Sequence, residues 1–200
     1  MKKTALNLPN SLSLLRVLLV PAFVLTLVFL RDVEVWGYVV PSMIFVITAL
    51  TDMLDGKIAR KYNLVTDFGK FIDPLADKFM VIGSQIAIMA YLFLKGEATE
   101  ALIFMAVVLV ILLRELGVTS LRLVVAGKSG IVVAASMLGK IKTVSQMAGT
   151  LVIILEPLIF PFCADNHIIA YCFMALMTFT TLFSGLDYLK AYLPYIDTNK

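Results

Sequence analysis

Four aspartates in the second quarter of the chain form two pairs, each with the spacing of a helix face. Asp52 and Asp55 are three residues apart, and Asp73 and Asp77 are four apart. Side chains at these spacings project from the same face of an α-helix. Carboxylate oxygens are the ligands that hard cations such as Mg²⁺ take, and Mg²⁺ often completes its coordination with substrate phosphates. The pattern therefore indicates a divalent-metal site that handles a phosphate-bearing substrate.

A purely structural interpretation of the same residues stays open. Basic side chains nearby could neutralise the carboxylates in a surface salt-bridge network. These side chains are Lys57, Arg60, Lys70 and Lys78. Gly56 and Gly69 favour ligand binding, because a residue without a side chain lets a bulky ligand approach the backbone. Either glycine alone could instead mark a turn.

The elements that must position these aspartates are membrane-spanning helices. Of the 200 residues, 60% are hydrophobic and only 16% are charged. Apolar runs of about 20 residues cross a bilayer as helices, because the backbone has no water partner in lipid. The runs are residues 12–30, 36–54, 71–94, 101–125, 141–162 and 168–186. We therefore predict an all-α integral membrane protein, with residues 1–200 forming one domain built as a six-transmembrane-helix bundle.

The distribution of basic residues predicts the orientation of this bundle. Arg31 and Lys95 fall on one side of the membrane, and all other lysines and arginines fall on or toward the other. By the positive-inside rule, both termini and the aspartates face the cytoplasm. We expect a bacterial plasma membrane. The net charge of +3 then follows from topology, and we expect no nucleic-acid partner.

In this topology the second and third spans are antiparallel neighbours, so the two acidic pairs can meet at the cytoplasmic side. Four adjacent anions repel one another strongly at the edge of a low-dielectric medium. A positive charge must therefore lie among Asp52, Asp55, Asp73 and Asp77. Two divalent cations would supply it, and could also clamp the attacking and leaving oxygens of a displacement at phosphorus.

A signature within residues 52–77 resembles that of the CDP-alcohol phosphotransferase family. The pattern D-x2-D-G-x2-A-R-x8-G-x3-D-x3-D is matched at all eight fixed positions. These are Asp52, Asp55, Gly56, Ala59, Arg60, Gly69, Asp73 and Asp77. Members of this family cleave a CDP-linked lipid or alcohol, release CMP, and transfer the remaining phosphoryl portion to an alcohol acceptor.

The resemblance implies a role for each signature residue. Two divalent cations, Mg²⁺ or Mn²⁺, would be held by Asp52, Asp55, Asp73 and Asp77. Asp77 would also be the general base that takes the proton of the acceptor hydroxyl. The residues that would line the CDP pocket are Asp55, Gly56, Ala59, Arg60, Gly69 and Asp73. The resemblance also implies a homodimer.

A basic cluster in the second half of the chain bears on the acceptor. The segment "LLRELGVTSLRL" carries Arg114 and Arg122, and "GKIKT" carries Lys140 and Lys142. These residues could be positive-inside markers, with Arg114 simply paired with Glu115. Beside a CDP site they could instead clamp the phosphate of a phosphorylated acceptor.

These segments, together with "NLPNSLSLLR" at residues 7–16, resemble the branch of the family that uses glycerol 3-phosphate. CDP-diacylglycerol would then be the donor, and the products would be phosphatidylglycerophosphate and CMP. The acceptor phosphate would be held by Arg114, Arg122, Lys140 and Lys142. We expect residues 7–16 to form a short N-terminal interfacial helix with Asn10 as its cap, although a plain leader into the first span is an alternative.

Three other functions stay open. A sister enzyme would use inositol phosphate, glycerol or phosphatidylglycerol as the acceptor. A membrane prenyltransferase also binds two Mg²⁺ through aspartates, but with a different expected spacing. A cation transporter would carry acidic residues within its spans, although transport sites usually lie near the midplane.

His167, the one histidine of the chain, has no partner evident in the sequence. Cys163 and Cys172 are interpreted as apolar filler rather than as a disulfide.

Overall fold

The chain is almost entirely helical in the computed structural model, which describes residues 7–62, 66–129, 136–164, 166–192 and 195. The side chains of residues 56, 57, 59–61, 128, 129 and 164 lie outside that description. Within these residues, six helices are long and apolar enough to cross a membrane. They are α1 (Leu8–Phe29), α2 (Glu34–Lys61), α3 (Asp67–Leu94), α4 (Ala98–Ser129), α5 (Met137–Ile159) and α7 (Ile168–Tyr192), with the one-turn α6 (Pro161–Ala164) after α5. The predicted all-α bundle of six spans is confirmed.

At one common end of the bundle, each of the six long helices extends one to two turns beyond its predicted span. Hydropathy marks only the apolar part of a helix, whereas its ends depend on capping. Thr66 accepts a hydrogen bond from the Gly69 amide at 3.0 Å, and Ser136 accepts one from the Gly139 amide at 3.1 Å. These caps allow α3 and α5 to begin in polar sequence.

The first turns of α1 correct one prediction. Residues 8–16 continue directly into the first span as a single helix, so the predicted separate interfacial helix is wrong for these residues. The cap is Asn7, whose side chain accepts from the Asn10 amide at 3.0 Å, so assigning the cap to Asn10 was also wrong. Asn10, Ser13 and Arg16 are buried, which is the opposite of an interfacial face.

The six spanning helices alternate in direction along the chain. The first residues of α1, α3 and α5 therefore lie at the same end of the bundle as the last residues of α2, α4 and α7. Helix α1 packs against α2 and α3, α7 packs against α4 and α5, and α3 contacts α4. The Phe23 and Phe45 rings meet at 5.5 Å in the core, while many large apolar side chains point outward, as lipid-facing residues do. We call the end that holds Asp52 and Asp77 the polar end.

At the opposite end, His167 has partners that the sequence did not reveal. Its ring nitrogens lie 3.9 Å from a Glu97 oxygen and 3.8 Å from a Glu156 oxygen. The sequence alone names no partner for His167, and the structure brings it near both glutamates. Cys163 and Cys172 are free thiols, which confirms that they form no disulfide with each other.

Candidate active site

The two acidic pairs meet at the polar end, around a serine of α1. The Ser13 hydroxyl lies 2.5 Å from an Asp73 oxygen and 3.3 Å from an Asp55 oxygen. A serine has one hydroxyl hydrogen, so Ser13 donates to one of these carboxylates at a time. A single side chain thus joins a carboxylate of α2 to one of α3, and the predicted meeting of the two acidic faces is observed.

The cation among the aspartates is Arg16, which the sequence analysis had not connected with them. Its guanidinium lies 2.5 Å from an Asp52 oxygen and also contacts Asp55. The Arg16 side chain is only 1% exposed. A buried arginine needs paired carboxylates, since an unpaired charge at this depth is costly. Helix α1 therefore provides charge compensation for α2.

The signal that could have identified Arg16 is its register. Asn7, Asn10, Ser13 and Arg16 recur every three residues in an otherwise apolar run, which places polar groups along one side of α1. Such a stripe within a membrane helix indicates contact with other polar groups in the bundle. Asn10 also contacts a polar group of another helix, because its side-chain Nδ2 donates to the Thr66 hydroxyl at the start of α3 at 2.8 Å.

The salt-bridge alternative places Lys57, Arg60, Lys70 and Lys78 among the four aspartates. Of these residues, the structure describes the side chains of Lys70 and Lys78, and both have other partners. Lys70 pairs with the exposed Asp67 at 2.8 Å, and Lys78 donates to Thr119 at 2.7 Å. The side chains of Lys57 and Arg60 lie outside the described residues. Within the described part of the chain, the ion pairs of Asp52 and Asp55 are made with Arg16 of α1.

The donor chemistry of this cluster fits a hard divalent cation. Asp52, Asp55, Asp73 and Asp77 are all oxygen donors, which Mg²⁺ and Mn²⁺ take in proteins. Among the described residues, no three acidic, histidine or cysteine side chains are grouped closely enough to hold an ion as they stand. Arg16 engages Asp52 and Asp55, and Ser13 reaches Asp55 and Asp73. A cation would therefore have to take some of these oxygens from α1.

A cavity of about 1210 Å³ opens beside the acid cluster. Asp52 of α2 and Asp77 of α3 contribute to its wall. The basic residues on its wall are Arg114, Arg122, Lys140 and Lys142, from α4 and α5. The structure thus brings all four predicted acceptor residues together with two of the four predicted metal ligands. Asp55 and Asp73 do not line this cavity and instead contact Ser13.

The rest of the cavity is largely apolar. Helix α2 contributes Phe45, Val46, Ala49, Leu50 and Met53, and helix α5 contributes Val144, Met147 and Leu151. A charged chamber is therefore continuous with an apolar groove between α2 and α5. A site of this kind suits an amphiphile that has a phosphate-bearing head and hydrocarbon chains.

The basic cluster is ordered by ion pairs across helices. Glu115 accepts from Arg114 at 3.0 Å and also from Lys142 of α5. Arg114 donates in addition to Ser184 of α7 at 2.6 Å. The pairing of Arg114 with Glu115 that the sequence left open is therefore observed. It leaves a surplus of positive charge in the cavity, because Arg114, Lys142 and the neighbouring Arg122 face one glutamate.

Helix α7 supplies a further residue that the sequence analysis missed. The Tyr188 hydroxyl accepts a hydrogen bond from Arg122, and the Tyr188 ring lies within cation–π distance of Arg114 and Arg122. Ser184 and Tyr188 are four residues apart and hence share a helix face. A polar pair on one face of an otherwise apolar span is the sequence feature that could have indicated that Ser184 and Tyr188 face polar groups inside the bundle.

Of the four remaining residues predicted to line the CDP pocket, the structure describes the surroundings of Gly69. The side chains of Ala59 and Arg60, and the surroundings of Gly56, lie outside the described residues. Gly69 is buried against α1, where an added Cβ would lie 2.7 Å from the Asn10 side-chain oxygen. A Cβ at position 69 would force the Asn10 side chain to shift, so helix packing by itself favours a glycine there. The place of Gly69 in a CDP pocket stays a prediction.

Sequence comparisons relate this chain to known proteins. Residues 6–184 match the sequence profile described as CDP-alcohol phosphatidyltransferase. A Bacillus subtilis protein named CDP-diacylglycerol–glycerol-3-phosphate 3-phosphatidyltransferase is 39% identical, over 91% of this chain and 93% of its own length. Proteins of the same name from Escherichia coli K12 and Pseudomonas fluorescens are 36% and 33% identical, over 92% and 97% of this chain and 94% of their own lengths.

Proposed function

The chain belongs to the CDP-alcohol phosphatidyltransferase family, and from that premise we propose that it transfers the phosphatidyl group of CDP-diacylglycerol to glycerol 3-phosphate. The products are phosphatidylglycerophosphate and CMP. The relatives named above carry this donor and acceptor in their names. The observation that carries the proposal is the single cavity in which Asp52 and Asp77 share the wall with Arg114, Arg122 and Lys142.

The acid cluster is the proposed site for the diphosphate of the donor. Asp52, Asp55, Asp73 and Asp77 would hold two divalent cations, Mg²⁺ or Mn²⁺, which when bound neutralise the diphosphate. The residues proposed to line the CDP pocket are Asp55, Gly56, Ala59, Arg60, Gly69 and Asp73. The apolar groove between α2 and α5 suits the acyl chains, because it lets them stay in hydrocarbon while the head group enters the charged chamber.

The basic cluster is the proposed site for the phosphate of the acceptor. Guanidinium and ammonium groups bind phosphate through charge-assisted hydrogen bonds, and Arg114, Arg122, Lys140 and Lys142 line the same cavity. Among the described residues, the Nε atoms of Arg114 and Arg122 are buried without a hydrogen-bond partner. A phosphate would draw on this surplus of donors. An acceptor without a phosphate would leave the positive charges uncompensated.

Asp77 is the proposed general base. It takes the proton of the acceptor hydroxyl as the oxygen of that hydroxyl bonds to the phosphatidyl phosphorus. The bond from this phosphorus to the bridging oxygen breaks, and CMP leaves with the electron pair. We expect direct in-line transfer without a covalent enzyme intermediate. The position of Asp77 on the cavity wall supports this role, because the residue borders the same space as the basic cluster.

Topology and assembly follow from the same proposal. The polar end faces the cytoplasm of a bacterial cell, where nucleotide-bearing donors and phosphorylated acceptors are available. The positive-inside distribution of lysines and arginines supports this orientation. A homodimer in the plasma membrane is also proposed, and crosslinking in native membranes would test it.

An acceptor panel tests the proposed function. Purified protein in lipid-supplemented detergent would receive CDP-diacylglycerol, Mg²⁺ and one acceptor at a time, and CMP release would be measured. We expect release with glycerol 3-phosphate and little release with inositol phosphate, glycerol or phosphatidylglycerol. Preference for another acceptor would favour a sister enzyme, and the absence of CMP release with every acceptor would contradict the proposal. Cation flux in proteoliposomes without CMP release would support a transporter.

A further inference from the structure

Tyr188 occupies the centre of the basic cluster and is only 2% exposed. Its ring centroid lies 5.3 Å from the Arg114 guanidinium carbon and 4.8 Å from that of Arg122. Its hydroxyl accepts hydrogen bonds from Arg122 and from the Ser136 amide at 3.0 Å. One side chain of α7 therefore contacts both arginines of α4 and the first residue before α5.

The ring and the hydroxyl have separate effects on the arginines. Two guanidinium groups near one another repel, and the face of an aromatic ring attracts cations within about 6 Å. The ring thus lowers the cost of keeping Arg114 and Arg122 together. Among the residues that the structure describes, Tyr188 provides every polar contact of Arg122. Arg114 has Glu115 and Ser184 as well, so it depends less on the tyrosine.

The bond to Ser136 extends this arrangement to α5. Ser136 is the cap of α5, and the first turns of that helix carry Lys140 and Lys142. Tyr188 therefore fixes the arginines of α4 relative to the lysines of α5. The small apolar cluster of Val118, Leu121 and Val125 holds the ring in place. A long arginine side chain that is fixed in this way loses less rotamer freedom when an anion binds.

We propose that Tyr188 is a positioning residue that preorganises the phosphate site of the acceptor and thereby sets the affinity for glycerol 3-phosphate. This inference rests on the proposed function. Tyr188 acts through Arg122 and, more weakly, through Arg114, and it takes no part in the chemistry at phosphorus. Its removal should therefore affect the acceptor and leave the donor unaffected.

Steady-state kinetics of Tyr188→Phe, Tyr188→Leu and the control Tyr192→Phe test this inference. Tyr192 stacks on Tyr188 at 6.1 Å, but among the described residues the hydrogen bonds and cation–π contacts of Arg114 and Arg122 on α7 involve Ser184 and Tyr188 rather than Tyr192. We expect Tyr188→Phe to raise the KM for glycerol 3-phosphate about tenfold, the effect of about one charge-assisted hydrogen bond, and Tyr188→Leu to raise it further. The KM for CDP-diacylglycerol should stay within about twofold, as should every parameter of Tyr192→Phe.

Competition by inorganic phosphate gives a readout of binding alone. Its inhibition constant against glycerol 3-phosphate should rise in Tyr188→Phe by the same factor as the KM. Equal rises in both KM values, together with a lowered melting temperature, would show a general structural role and overturn the inference. An unchanged KM for glycerol 3-phosphate in Tyr188→Phe would overturn the inference alone. A wild-type protein that releases CMP without any need for glycerol 3-phosphate would overturn the proposed function and the inference with it.

Discussion

The Ser13 hydroxyl lies 2.5 Å from the Asp73 carboxylate, so the first helix is bonded directly to the acid cluster. Arg16, one turn further along α1, contacts Asp52 and Asp55 of α2. Helix α1 therefore does more than anchor the chain, since its polar stripe compensates and orients the carboxylates of both neighbouring helices.

Removal of Arg16 should destabilise the protein more than removal of a surface arginine. Arg16→Gln leaves two aspartates without their buried partner, and breaking such a pair costs about 3 kcal/mol or more. We expect a melting temperature lowered by about 8 °C in detergent with chelator. The matched control is Arg31→Gln, because Arg31 pairs at 3.4 Å with the exposed Asp32 and should change the melting temperature by less than about 3 °C. Equal shifts in both variants would contradict the importance of the Arg16 pairs.

Asp77→Asn should separate chemistry from binding. An amide keeps the shape of the side chain but cannot accept the acceptor proton, so turnover should fall on the order of 10³-fold. CDP-diacylglycerol binding should stay within a few-fold of wild type, as measured by equilibrium binding of labelled donor. Asp67→Asn is the control, because the Asp67 side chain is 98% exposed and its ion pair with Lys70 lies on the surface, within one turn of α3. Parallel loss of binding and turnover in Asp77→Asn would mean that Asp77 mainly binds metal.

Arg122→Ala should weaken the acceptor selectively. The KM for glycerol 3-phosphate should rise at least about tenfold, because a charged hydrogen-bond donor to phosphate is lost. The KM for CDP-diacylglycerol should change much less. Lys190→Ala tests for a general effect of positive charge, since Lys190 lies exposed in the last turn of α7 at the same end of the bundle. A larger effect on the donor than on the acceptor would assign the basic cluster to CDP instead.

The stability of the protein should depend on pH through Glu97, which lies at the end of the bundle opposite the polar end. Burial raises the pKa of Glu97 above its usual value, and Glu100 and Glu156 add to the rise, against the opposing charges of His167 and Lys95. A carboxyl with a higher pKa in the folded state holds its proton more tightly when folded. Its ionisation therefore costs stability above the raised pKa, and the cost disappears below the usual glutamate range, where both states are protonated.

Glu97→Gln should accordingly raise the melting temperature at pH 8, on the order of 2 °C. The gain should shrink toward zero as the pH falls below the usual range of glutamate. Glu34→Gln provides the comparison, because Glu34 is exposed in the first turn of α2. A Glu97→Gln variant that is less stable than wild type at pH 8 would show that the attraction of the Glu97 carboxylate to Lys95 outweighs the cost of its burial.

Much of the site could be predicted from periodicity and topology. The spacings of Asp52 with Asp55 and of Asp73 with Asp77 fixed two helix faces, and the antiparallel arrangement of successive spans brought those faces together. The same reasoning could not identify the partners, because Arg16 reaches Asp55 across 39 positions of sequence and Tyr188 reaches Arg122 across 66. Such contacts depend on how whole helices pack. Arg16 interrupts an apolar run, and its register with Asn10 and Ser13 indicates that it faces polar partners inside the bundle.

The most direct test of the central claim is a titration with Mn²⁺ followed by electron paramagnetic resonance, which distinguishes free from bound ion. We expect saturable Mn²⁺ binding by the wild-type protein in the presence of CDP-diacylglycerol. Binding should be lost in the double variant Asp52→Asn with Asp73→Asn and retained in the control Asp67→Asn. Binding of Mn²⁺ by the double variant with wild-type affinity, or no binding by the wild-type protein at saturating donor, would contradict the account.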